Sequence, residues 1–220
     1  MMAFRKVAGA SGLVFGVLLL VSAFAGGSPP AGDASVANIL SYVADHEGGI
    51  KLAMVAGSLS GFFAILWLVA TFSRLRDGGG EARSWALVGL VGVVMTGVMA
   101  ALTNGVSAIV VAGGAALDEA TVIALWKTTW VDTSFLAAFL AAGLLGFGMA
   151  GVRGKVGPVW LGYVAVVGAV LALVGSIAPV EVANGSALGI GAFLGYLLFT
   201  LYVLVSSVSL LRSPTESAPA

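Results

Sequence analysis

VDTSFLAAFLAAGLLGFGMAGVRGKVGPVWLGYVAVVGAVLALVGSI, residues 131–177, carries the pattern that decides the fold. Two apolar runs flank a short basic turn, residues 153–157, that holds Arg153 and Lys155. At 1.5 Å per residue, about 20 helical residues cross a hydrocarbon core of about 30 Å. The only charge inside the two runs is Asp132. Neither run alternates polar and apolar residues as a barrel strand does.

Working outward, the same alternation recurs. Apolar spans lie at about residues 7–25, 50–72, 85–103, 131–152, 158–177 and 188–211. The expected fold is an all-α polytopic membrane helix bundle with six transmembrane helices, one domain over residues 1–212. A polar tail, residues 213–220, is expected to be disordered. Composition agrees. Of the 220 residues, 9% are charged and 60% hydrophobic, with 32 glycines, and the mean hydropathy is +1.09. A soluble domain carries about 25% charged residues. So few charges exclude a water-soluble globule, a disordered chain and a nucleic-acid binder.

Basic residues orient the bundle. Arg5, Lys6, Arg74, Arg76, Arg83, Arg153, Lys155 and Arg212 share one side, and only Lys51 and Lys127 fall on the other. The positive-inside rule then predicts both termini in the cytoplasm, N-in/C-in, and the Ala-, Gly- and Val-heavy composition points to a bacterial plasma membrane. The formal net charge of zero is a cancellation. Eight bases against Asp77, Glu81 and Glu216 give +5 inside, and two bases against Asp33, Asp45, Glu47, Asp118, Glu119, Asp132 and Glu181 give −5 outside. Arg5-Lys6 followed by an apolar run and Ala23-Phe24-Ala25 is also the pattern of a cleavable secretory signal. The six-span reading keeps it as the first helix.

The outer side is the larger. Residues 26–30, Gly-Gly-Ser-Pro-Pro, read as a linker. Val36, Ile39, Leu40 and Val43 then recur at helical spacing, which predicts a short amphipathic helix over residues 35–45 with Asp33 or Ser35 as N-cap. Residues 85–117 are too long for one span. Thr103-Asn104-Gly105 predicts a break there, with residues 106–117 as an external or re-entrant segment. Asp118 is the expected N-cap of a helix that runs through Trp126 and Trp130 into the fourth span. These extensions, residues 35–45 and 106–130, are expected to form an external helical cap.

Few residues offer chemistry. Cysteine is absent and His46 is the only histidine, which leaves no thiol chemistry, Fe–S cluster, bis-His haem or multi-His metal cage, and no cofactor is expected. His46 reads as part of an exposed turn. Gly57-Ser58-Leu59-Ser60-Gly61 has Leu59 where a serine-hydrolase elbow needs serine. The Gly57/Gly61, Gly12/Gly16 and Gly191/Gly195 pairs form Gly-x-x-x-Gly faces for close helix packing, within the chain or against a second copy or a membrane-protein partner. Asn184-Gly185-Ser186 reads as a turn. No ionisable residue sits at the midplane of a span, which weighs against ion-coupled transport. The expected ligand-binding rim is therefore external: Trp126, Trp130, Lys127, Asp132, Asn104 and Lys51, with Asp132 otherwise read as a packing carboxylate paired to Lys51.

Residues 28–52, SPPAGDASVANILSYVADHEGGIKL, and 148–176, GMAGVRGKVGPVWLGYVAVVGAVLALVGS, carry a resemblance. With Tyr42, Asp45, Arg153, Gly157, Pro158, Trp160, Leu161 and Gly162 at the matching places, the chain resembles a broad family of uncharacterised multi-pass membrane proteins of high-GC Gram-positive bacteria. The resemblance implies a six-helix inner-membrane protein and no catalytic residues. The expected function is non-enzymatic: an accessory subunit, or a binder of a lipid or small apolar ligand on the outer side. A small transporter or channel, with a path through Ser58, Ser60, Thr96 and Asp132, is the first alternative. An intramembrane enzyme, which needs two polar groups at one depth, is the second.

Overall fold

In hydrocarbon a chain must close its own backbone hydrogen bonds, and a helix does so within one segment. The computed structural model, which describes residues 2–212, forms a helix at each of the six apolar runs. These are α1 (Met2–Phe24), α3 (Glu47–Arg76), α4 (Gly80–Gly113), α5 (Glu119–Gly154), α6 (Val159–Ser176) and α8 (Gly189–Leu211). Two short helices, α2 (Val36–Asp45) and α7 (Pro179–Ala183), and a 3₁₀ turn (Gly114–Ala116) complete the described residues, which contain no strand. The expected polar tail lies outside them.

Around the bundle the neighbours run α1, α3, α4, α5, α6, α8 and back to α1, with α5 also reaching α8 and α3. That makes α5 the most enclosed span. Its seam with α4 is the most extensive and is built on glycine. A Cβ on Gly92 would stand 2.3 Å from the Gly143 backbone nitrogen, and one on Gly146 would stand 2.2 Å from that of Gly89. Only hydrogens at these positions let the two backbones touch.

Mid-bundle the interior is solid. Trp67, fully buried, meets the rings of Phe15, Phe147, Phe199 and Tyr202 at centroid distances of 5.6–6.4 Å. Its indole N–H donates to Ser206 Oγ at 3.0 Å, and Ser206 donates on to the Val203 carbonyl. The Gly12/Gly16 face packs here against Trp67, Ser207 and Leu204, and Gly191/Gly195 pack on α6 at Leu171, Ala172 and Gly175. Gly57 faces Asn104, while Gly61 faces open space.

At the end opposite the basic loops a second apolar cluster gathers Ile39, Val43, Val110, Val122 and Trp126. Ser35 caps α2 by accepting from the Asn38 amide at 3.3 Å. Asp118 caps α5 by accepting from both the amide and the hydroxyl of Thr121, and these bonds hold its carboxyl below the usual carboxylate range.

One expectation is overturned. Thr103-Asn104-Gly105 does not break the third span, and α4 runs unbroken to Gly113. The Thr103 hydroxyl turns back to the Met99 carbonyl at 3.0 Å, which satisfies it within the helix. A single interior glycine costs a helix only about 1 kcal/mol, less than freeing backbone groups with no partner. The stop comes at Gly114, whose φ of +44° suits glycine. At 34 and 36 residues, α4 and α5 exceed the length of a bilayer core by about 20 Å.

Candidate functional site

Helices α1, α4, α5 and α8 do not close on one another at the end away from the basic loops. They leave a cavity of about 780 Å³, within the range of about 300–1,000 Å³ usual for small-molecule sites. Gly27, Ser28 and Pro29 of the linker and Tyr42 of α2 border it. Its walls come from Ser22, Ala23 and Phe24 of α1, Thr103 and Ser107 of α4, and Ile190, Phe193 and Tyr196 of α8. One long face belongs to α5: Trp126, Thr129, Trp130, Thr133 and Leu136. Those residues recur every three or four positions, so the continuous helix sets them on one side.

The polar atoms of this lining are largely spent on the protein. Trp126 Nε1 donates to the Ala31 carbonyl at 3.1 Å, Tyr42 Oη to that of Gly26 at 2.7 Å, and Tyr196 Oη to that of Leu19 at 2.9 Å. Thr129 and Thr133 donate to carbonyls of their own helix at 2.6 and 2.7 Å. Burial also pushes the Tyr42 phenol above its ordinary value, which keeps it neutral. What the walls present is mostly ring and aliphatic surface, together with the hydroxyls of Ser22, Ser28 and Ser107 and the Trp130 indole, and with no Asp, Glu, Lys, Arg or His among the lining residues. The aromatic bonds also tie the linker, α1 and α8 around the space. Phe24 and Phe193, edge to face at 6.0 Å, join α1 to α8 beside it.

Of the residues singled out from sequence, only Trp126 and Trp130 line this cavity. Lys127 reaches away, its Nζ donating to Asn184 Oδ1 at 3.3 Å near the exposed turn after α7. Lys51 pairs with Glu47 one turn earlier on α3, so the expected Lys51–Asp132 pair does not form. Asp132 is half-exposed between exposed Thr128 and Phe135 and makes no ion pair among the described residues. Asn104 Nδ2 and Ser22 Oγ both lie over Gly57, where an added Cβ would meet them at 3.1 and 3.3 Å. His46 is exposed and stacks on Tyr42.

Nor do the residues of the transport path converge. Ser58 is exposed, Ser60 donates to the Gly57 carbonyl and Thr96 to that of Gly92. Below the cavity the Trp67 cluster fills the bundle. Missed from sequence were Tyr42, Phe193 and Tyr196, whose signal was the clustering of aromatic residues near one end of several segments. No family model, curated protein or solved structure matches this chain.

Proposed function

We propose that this multi-pass membrane protein works by binding a lipid or small apolar ligand, without catalysis, as a binding protein or accessory subunit. The observation that carries this reading is the 780 Å³ cavity with no ionisable acid or base in its lining except tyrosine. Such walls gain by removing apolar surface from water, about 25 cal/mol per Å², and offer no countercharge to repay the desolvation of an ion. The basic loops support an orientation with both termini in the cytoplasm of a bacterial cell and the cavity facing outward. The resemblance to multi-pass membrane proteins of high-GC Gram-positive bacteria fits the same placement.

The test uses the full chain in neutral detergent, titrated with an uncharged single-chain lipid brominated on its hydrocarbon. Bromine quenches indole on contact, and Trp126 and Trp130 are the cavity's two indoles. Saturable quenching is expected, and Trp126→Phe with Trp130→Phe should abolish its saturable part. Equal saturable quenching in the double variant, or none in the parent protein, would overturn the proposal.

A further inference from the structure

We propose that the basic end of the bundle holds an oxyanion site, built by Arg74 and Thr71 of α3 and independent of the large cavity. Three observations converge there. First, a small cavity of about 30 Å³ opens among α3, α5, α6 and α8, lined by Thr71, Arg74, Tyr202, Ser209, Gly157 and Pro158 among others. That volume holds one water-sized atom. Second, Thr71 is 5% exposed and its Oγ1 has no hydrogen-bond partner. A buried hydroxyl left unsatisfied in a native protein calls for an unseen water or ion. Third, the Arg74 guanidinium is half-buried and has no carboxylate within 4.0 Å among the described residues. Among the described residues it gives one hydrogen bond, to Ser209 Oγ at 2.9 Å.

A guanidinium has five donors in a fixed fork. Among the described residues most of them are unspent, and a half-buried cation with no carboxylate partner is stabilised by an anion. A single oxygen seated in the cavity would take the Thr71 hydroxyl proton in a hydrogen bond and face the guanidinium. Gly157 flanks the guanidinium as well. A Cβ there would stand 3.8 Å from Arg74 Nη2, so the connection between α5 and α6 passes beside the charge without blocking it. The chemistry that fits is a phosphate-type oxyanion with one oxygen inserted and the rest outside. It has two sources: the headgroup of an anionic phospholipid in the adjacent leaflet, or free phosphate.

The experiment is thermal unfolding of the full chain in neutral detergent, with three additions at matched ionic strength: potassium phosphate, potassium chloride, or phosphatidylglycerol against phosphatidylcholine. A ligand of the folded state raises the midpoint in proportion to its saturation. Phosphate, phosphatidylglycerol, or both should raise it above chloride and phosphatidylcholine. A response to phosphatidylglycerol alone identifies the lipid, and a response to both identifies an oxyanion site open to either source. Arg74→Gln should weaken the apparent affinity about tenfold or more, as loss of a charge-assisted bond does. Thr71→Val keeps the charge and nearly the shape, and should weaken affinity several-fold while raising the midpoint of the ligand-free protein. It decides the matter even if Arg74→Gln fails to fold. No shift with any oxyanion, a shift matched by chloride, or a full shift retained in Thr71→Val would overturn the proposal.

Discussion

Two glycine-to-alanine substitutions in the same helix, α4, should move stability in opposite directions. Gly92 faces α5, and its Cβ would stand 2.3 Å from the Gly143 nitrogen and 2.6 Å from the Gly143 Cα. Ordinary contact begins near 3.4 Å, so α4 and α5 must separate locally by about 1 Å. The obstructing atoms are backbone, so no side chain can rotate away. Overpacking of this kind costs about 1–3 kcal/mol. Gly97 lies five residues on, exposed, with nothing within 4 Å of its would-be Cβ. There alanine only restricts the unfolded chain and gains about 0.5–1 kcal/mol. The two variants should therefore differ by about 1.5–4 kcal/mol in unfolding free energy. Titration of the detergent-solubilised protein with dodecyl sulfate, followed by tryptophan fluorescence, would measure the difference. Gly146→Ala should resemble Gly92→Ala, because its Cβ would strike Gly89 at 2.2 Å. If Gly92→Ala proves as stable as Gly97→Ala, the α4–α5 backbone contact is refuted, and with it the register that sets the α5 face of the cavity.

Two further outcomes follow from single hydrogen-bonded groups. Ser206→Ala removes the acceptor, the only one among the described residues, of the fully buried Trp67 indole N–H and should cost about 1–3 kcal/mol in the same unfolding assay, the penalty of a stranded donor; an unchanged midpoint would mean that the indole finds another partner. Asp118 titrates below the usual carboxylate range because Thr121 bonds its ionised form, so its cap is at full strength above the ordinary carboxylate value and is lost as pH falls through the lowered folded-state value. Hydrogen exchange at the Thr121 and Val122 amides, corrected for intrinsic rates, should therefore rise on acidification in the parent and stay flat in Asp118→Asn, and identical profiles in both would refute the linkage.

The six spans were legible because their signal is thermodynamic and local: about 20 apolar residues that must satisfy their backbone in hydrocarbon. The N-caps of α2 and α5 were legible for a related reason. Ser35 and Asp118 act on amides three residues away, so nothing distant decides them. The break expected at Thr103-Asn104-Gly105 was misread because turn chemistry learned from water does not transfer to a helix already committed to a packed seam. In water Thr103 has solvent to bond; beside α5 it has Met99. The α4–α5 seam itself was not foreseen. The Gly-x-x-x-Gly faces named from sequence lie on other helices, and the α4–α5 contact uses Gly89/Gly92 against Gly143/Gly146, two pairs three residues apart. Three-residue spacing shares a helix face as well as four does, but a glycine-rich chain offers many such pairs, and only the partner helix selects among them.

The site was harder to read, because the search followed charge. Lys51, Lys127 and Asp132 were singled out as ionisable residues near a boundary, yet the cost of burying a charge holds such groups at the rim. Lys51 and Lys127 find partners there, in Glu47 and Asn184. A cavity proposed to take an apolar guest needs the reverse: residues whose polar atoms are consumed by the scaffold, so that rings and methyl groups make up most of what faces inward. Trp126, Tyr42 and Tyr196 meet that need through carbonyls 95, 16 and 177 residues away in sequence. Such bonds belong to the tertiary fold, and no local pattern announces them. The two tryptophans were found because they carry both an amphipathic ring and a boundary position. Tyr196 was missed because its hydroxyl sits two turns into α8, where a lone tyrosine looks like packing until the Leu19 carbonyl of α1 appears opposite it.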